Sequence, residues 1–166
     1  MKEKKTRNLV HAALIAAVYI VLIMVFRPIS FGPIQFRIAE ALCVLPYFTP
    51  AAIPGLFIGC LISNLLGGAM LMDVIFGSLA TLIGAIGSYL LRRNRYLVSI
   101  PPILANTLII PWVLKFAYGS EDMIWYMMVT VGIGEILAIG VLGHFLLNVL
   151  MKHRSIIFGE SSSGKM

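Results

Sequence analysis

Six apolar stretches, each cut off by glycine, proline or a basic cluster, leave this chain few ways to fold. Residues 9–26 end at Arg27-Pro28, and residues 36–48 stop around Pro46 and Pro50. Residues 51–66 end at Gly67-Gly68, and residues 74–91 run into Arg92, Arg93 and Arg95. Residues 96–116 end before Gly119, and residues 123–151 follow. Crossing about 30 Å of hydrocarbon takes about 20 apolar residues at about 1.5 Å each. Five stretches qualify. The second, at 13 residues, reaches only about 20 Å, so it is either a short buried helix or one that borrows its flanks.

Composition agrees. Sixty per cent of the 166 residues are apolar and 12% are charged, too little polar surface for a soluble domain of this size. The expected fold is an all-α integral membrane protein, a compact bundle of six transmembrane helices over residues 1–158. A flexible polar tail follows at 159–166. The first stretch is too long for a cleaved signal core, and no small-residue cleavage site follows it.

The net charge of +6 lies in clusters between apolar runs, a topology signal rather than a nucleic-acid face. With the N-terminus inside and six spans, ten basic residues fall on the cytoplasmic side: Lys2, Lys4, Lys5, Arg7, Arg92, Arg93, Arg95, Lys152, Arg154 and Lys165. Three, Arg27, Arg37 and Lys115, fall outside. Ten against three is a clear positive-inside bias, and it puts both termini in the cytoplasm.

Small residues recur at helical spacing, which lets helices approach closely in lipid. Gly55 and Gly59 in the third stretch, and Ala80, Gly84 and Ser88 in the fourth, read as internal packing. Ala12, Ala13, Ala16 and Ala17 form two overlapping A-x-x-x-A pairs on neighbouring faces of the first helix. That face suits either internal packing or docking of a partner subunit. Cys43 and Cys60 read as small packing residues without a metal role.

Polar groups inside the spans carry more information, because ionisable side chains in hydrocarbon are expensive and face the bundle interior. In the six-span topology, Arg37 and Glu40 enter from outside on one face of the second helix. Asn64 and Asp73 reach the same side from the third and fourth. Asn106 lies near mid-membrane, with Trp112 above it near the surface. Trp125 and Tyr126 begin the sixth helix, and Glu135 lies about 13–20 Å below them. The pattern describes a cavity open to the outside. Simpler readings exist: an Arg37–Glu40 ion pair, an Asp73 helix cap, and Trp112, Trp125 and Tyr126 as interfacial anchors. Glu135 resists them, since nothing basic is expected at its depth. Carboxylates, amides and indoles without a basic cluster favour a flat, neutral or cationic ligand, and a guanine-like edge matches a glutamate well.

Residues 31–68, FGPIQFRIAEALCVLPYFTPAAIPGLFIGCLISNLLGG, and residues 73–93, DVIFGSLATLIGAIGSYLLRR, resemble the QueT-type queuosine-precursor substrate-binding (S) subunits of energy-coupling factor transporters. The Gln35-Phe36-Arg37-x-x-Glu40 segment and the Gly77–Thr81 run are its more specific motifs. The resemblance implies a subunit of the bacterial plasma membrane that captures queuine or a related 7-deazaguanine from outside. It further implies association with a transmembrane coupling (T) subunit and two cytoplasmic ATPase subunits. This chain has no G-x-x-x-x-G-K-[S/T] loop, so ATP would be used by the partners and no cofactor is expected here.

Alternatives remain open at this point. A vitamin-specific relative in the same transporter class would share the architecture. A self-sufficient channel or exchanger would show inverted repeats, and none is evident. An intramembrane enzyme built on Glu135, Asp73 and His144 lacks a paired-aspartate or H-E-x-x-H motif. The topology itself is testable with Cys43 and Cys60 replaced. Cysteines at Ser30 and Ser120 should react with an impermeant thiol reagent from outside, and one at Asn94 should not; labelling at Asn94 in intact cells would invert the orientation.

Overall fold

The computed structural model describes residues 2–30 and 36–153. Residues 31–35, which open the resemblance motif, and the tail with Arg154 and Lys165 lie outside the described residues. The described residues form helices without strands. Helix 1 is Lys2–Val25, followed by one turn at Arg27–Ser30. Helix 2 is Ile38–Tyr47, helix 3 Ala52–Leu66, helix 4 Leu71–Leu90 and helix 5 Ile100–Ala117. Helix 6 runs over Ile124–Lys152. Four of these, helices 1, 4, 5 and 6, are long and apolar enough to cross a membrane; helix 3, expected as a fifth, is shorter at 15 residues.

Helix 2 takes the first of the two forms expected for a short span. It is a 3₁₀ helix of ten residues, with every side chain from Ala39 to Pro46 buried. Runs this long are uncommon in 3₁₀ form, and at about 2.0 Å per residue it measures about 20 Å. Helix 6 departs from regular geometry too. Its first α segment ends at Glu135, and Ile136–Gly143 is wound as a π helix. The two irregular segments pack against each other, with the Gly143 Cα side facing Val44 and the Ala41 carbonyl.

Burial is inverted relative to a water-soluble domain. Leu9, Leu71, Leu90 and Phe145 are each about 70% exposed, whereas Arg37, Glu40, Asn64, Asp73, Asn106 and Glu135 are buried. Hydrocarbon outside and polar groups inside is the arrangement a lipid solvent selects. The chain is a multi-pass membrane protein.

Helix 1 lies almost in backbone contact with helix 3. A Cβ at Gly55 would stand 2.7 Å from the Ala12 carbonyl oxygen, and one at Gly59 would stand 3.2 Å from Ala16 Cα. Ala12 and Ala16 are therefore covered internally, while Ala13 and Ala17 remain on the exposed side. The two overlapping alanine pairs have different surroundings. The small residues of helix 4 also pack internally: Ala80, Gly84 and Ser88 are buried, and Gly84 meets Pro102 in the first turn of helix 5. Ser30 is buried, its hydroxyl donating to the Phe26 carbonyl at 3.0 Å. Ser120 is thus the better outer labelling position.

Gly55→Leu should lower the thermal midpoint of the detergent-purified protein by several degrees, since overpacking costs about 1–3 kcal/mol. Ala13→Leu should leave it unchanged. Equal melting curves for Gly55→Leu and wild type would dismiss the close approach of helices 1 and 3.

Candidate functional site

The buried polar side chains gather from all six helices. On helix 2, 3₁₀ winding stacks residues three apart, so Cys43 lies over Glu40 and its Sγ donates to Glu40 Oε2 at 3.0 Å. The other carboxylate oxygen accepts from the Tyr19 hydroxyl of helix 1. Tyr19 continues the buried Ala12–Ala16 stripe, so the close approach on helix 3 also delivers this hydroxyl. Glu40 and Tyr19 are both fully buried.

Arg37 precedes helix 2 in extended backbone. Its Nη2 meets Asp73 Oδ2 of helix 4 at 3.4 Å, a buried ion pair. The expectation of a pair within helix 2 gives way to one across the bundle. Asp73 is not a cap: helix 4 begins after Met70 without a side-chain cap. It occupies the first turn, where the helix dipole favours a carboxylate. Asn64 Nδ2 donates to the Asp73 carbonyl at 3.3 Å, tying helix 3 to helix 4.

Tyr118 closes this end. Its hydroxyl donates to Asp73 Oδ2 at 3.1 Å and accepts from the Met70 N–H at 3.2 Å. Arg27 Nη2 donates to the Gly67 carbonyl at 2.9 Å, so the turn between helices 3 and 4 is held from both sides. Gly68 in that turn has φ +73°, a backbone that glycine adopts without strain.

Deeper in, Glu135 sits at the junction between the α and π segments of helix 6. Asn106 is buried on helix 5, which packs against both segments of helix 6. Among the described residues, neither Glu135 Oε2 nor Asp73 Oδ1 has a hydrogen-bond partner. Buried helix 2, which carries Glu40, packs against the π segment that follows Glu135.

The structure brings Arg37, Glu40, Asn64, Asp73, Asn106 and Glu135 into this interior. It does not bring the other aromatic residues there. Trp125 and Tyr126 are 64% and 50% exposed and meet edge to face. Trp112 stacks on Phe116 and lines an apolar recess with Met72 and Phe76. Their positions suit the interfacial-anchor reading. Four participants escaped the sequence reading: Tyr19, Tyr118, Cys43 and Cys60, the last accepting from Asn64 at 3.6 Å and Thr81 at 3.4 Å. Tyr19 alone left a trace, as a hydroxyl on a buried stripe that needs a partner.

Chemically, the described interior leaves two buried carboxylate oxygens, Glu135 Oε2 and Asp73 Oδ1, without a donor. That suits a ligand rich in N–H groups.

With the geometry in place, comparison with known proteins identifies the family. The sequence model of the QueT transporter family matches residues 9–152, and the chain belongs to that family. The "Queuosine precursor transporter QueT" of Lactococcus lactis subsp. cremoris (strain MG1363) is 44% identical over 85 residues. That match spans about half of this chain and half of the curated relative. No solved structure matches.

Removing one member of a buried ion pair costs about 3–5 kcal/mol, whereas replacing both with apolar groups is far milder. Arg37→Met should therefore lower the melting midpoint strongly, and Arg37→Met with Asp73→Leu should recover much of it. Additive losses in that double-mutant cycle would show that the two side chains do not interact.

Proposed function

We propose that this QueT-family chain is the substrate-binding subunit of an energy-coupling factor importer, taking a 7-deazaguanine queuosine precursor from outside the cell. The observation that carries the reading is the buried Glu135 carboxylate, whose Oε2 has no hydrogen-bond partner among the described residues. A guanine-type edge presents a ring N–H and an exocyclic amine side by side, the donor pair that one carboxylate accepts. The family membership and the relative's name support a transported queuosine precursor.

In this reading six helices span the membrane with both termini cytoplasmic, the two short helices completing the bundle. Ala13 and Ala17, the exposed pair on helix 1, form the face that meets the transmembrane coupling subunit. ATP is consumed by two cytoplasmic ATPase subunits. Ala12 and Ala16, which lie against Gly55 and Gly59 of helix 3, are assigned in this reading to packing within the chain.

Glu135→Gln keeps the shape but turns one acceptor into a donor. Charge-assisted hydrogen bonds contribute about 1.5–3 kcal/mol, so affinity for a 7-deazaguanine base should fall about 10- to 100-fold. Calorimetry on the purified protein decides it; affinity within about threefold of wild type would make Glu135 structural and shift the base to Asp73 or Glu40. Ala13→Trp should abolish cellular uptake while leaving base binding to the isolated chain intact. Loss of binding in that variant would remove the docking role of the exposed pair.

A further inference from the structure

One face of helix 1 changes character along its length. Lys4, Arg7, His11, Leu14 and Val18 follow one another at alternating steps of three and four residues, which stacks them in a single stripe. The stripe begins basic and ends apolar. The first two turns of the helix hold Lys2, Lys4, Lys5 and Arg7 against one acid, Glu3. Lys4 and Arg7 are exposed, and among the described residues neither is engaged in an ion pair.

The apolar part of the stripe walls a recess. Leu14 and Val18 stand on one side and Leu146 and Leu150 of helix 6 on another. Leu42 and Leu45, stacked by the three-residue repeat of helix 2, are buried while Leu14 and Val18 are exposed. Helix 2 is therefore the floor, and the recess opens outward. Its volume is about 190 Å³ and it presents no polar surface.

Size and charge together select what fills it. One turn of helix, about 10 Å across and about 5.4 Å tall, occupies on the order of 400 Å³, about twice what the recess holds. A thin hydrocarbon chain has no such difficulty. The seven residues from Val18 to His11 rise about 10 Å, and the seven from His11 to Lys4 another 10 Å or so. One leaflet of hydrocarbon is about 15 Å deep, so a chain lying against Leu14 and Val18 brings its headgroup to the level of Arg7 and Lys4. Basic residues at that level attract an anionic headgroup, whereas a zwitterionic one carries its own cation to the same place.

We propose that the recess between helices 1, 2 and 6 holds an acyl chain of an anionic phospholipid whose phosphate rests on Arg7 and Lys4. The site is separate from the exposed Ala13–Ala17 face, which lies about a third of a turn round helix 1, and it does not depend on which substrate is carried. Helix 1 packs against helices 2 and 3, so the lipid joins its first turns to the end of helix 6.

Two lipids with the same chains separate headgroup from hydrocarbon. The purified, delipidated chain is titrated with dioleoyl-phosphatidylglycerol and with dioleoyl-phosphatidylcholine, and native mass spectrometry counts the lipid bound. A basic residue at the membrane surface contributes about fivefold, the equivalent of about 1 kcal/mol. With two of them, phosphatidylglycerol should fill one site at least about tenfold more tightly than phosphatidylcholine. Lys4→Gln with Arg7→Gln should bring the two lipids within about threefold of each other, well under a tenfold step. Leu14→Trp, which fills the recess from an exposed position, should abolish the tight site with both basic residues in place. Equal affinities in the wild-type chain would overturn the proposal. So would tight phosphatidylglycerol binding that survives Leu14→Trp, since the headgroup would then bind without the recess. Tight binding of neither lipid would leave the recess to a protein partner and overturn it as well. The wild-type comparison needs no variant to fold, and Lys4 and Arg7 are surface positions.

Discussion

Everything polar in this bundle depends on how closely helix 1 lies against helix 3. Ala12 and Ala16 meet the bare backbone of Gly55 and Gly59, and the same stripe, one turn on, carries Tyr19 to the Glu40 carboxylate. In lipid there is no hydrophobic drive to press helices together, so van der Waals contact through small residues has to hold them. A methyl group more on helix 3 would lift helix 1 and withdraw the hydroxyl that satisfies Glu40. A buried carboxylate deprived of a donor costs far more than the lost contact. The small-residue seam and the buried acid thus stand or fall together.

The irregular helices answer a second demand of the same interior. A regular α helix places residues 40 and 43 at about 300° apart and spreads a ten-residue segment over only about 15 Å. Winding helix 2 as 3₁₀ brings Cys43 directly over Glu40 and lengthens the segment. Its partner, the π segment of helix 6, starts where Glu135 ends the preceding α turn. Both departures from regular winding sit beside a buried acid, Glu40 in one and Glu135 in the other, in keeping with the frequent placement of π segments at functional sites.

Legibility of the sequence followed the strength of the physical penalty behind each signal. Apolar runs bounded by Gly, Pro and Arg located the helices to within a few residues: residues 51–66 became Ala52–Leu66, and 74–91 became Leu71–Leu90. Charged residues inside those runs were conspicuous, because the membrane makes each one costly, and Arg37, Glu40, Asp73 and Glu135 were found that way. Pairing was harder to read. Arg37 and Glu40 share a local spacing, yet Arg37 reaches a residue 36 positions away, which only the packing of helix 2 against helix 4 decides. Trp112, Trp125 and Tyr126 read from sequence as cavity residues, yet all three side chains are exposed. Depth along a helix follows from counting residues, whereas direction around it depends on neighbours. Cys43 and Cys60 looked inert because a thiol's hydrogen bonds are invisible without its contacts.

Helix 1 has two faces with opposite surroundings, and this bears on how a binding subunit could report its ligand. The inner face carries Tyr19 against Glu40; the outer face leaves Ala13 and Ala17 exposed, six and two residues away on the same helix. If the outer face docks the coupling subunit, any shift of Tyr19 on ligand binding is transmitted to that interface by the helix itself, without an intervening loop. Coupling of this kind needs an element with two arrangements whose balance both sites bias. The seam at Gly55 and Gly59 tolerates little sideways displacement, because packed interfaces are bistable rather than continuously deformable. Movement of helix 1 would therefore occur as a slide along that seam, in steps set by the alanine and glycine spacing, rather than as a gradual tilt away from helix 3.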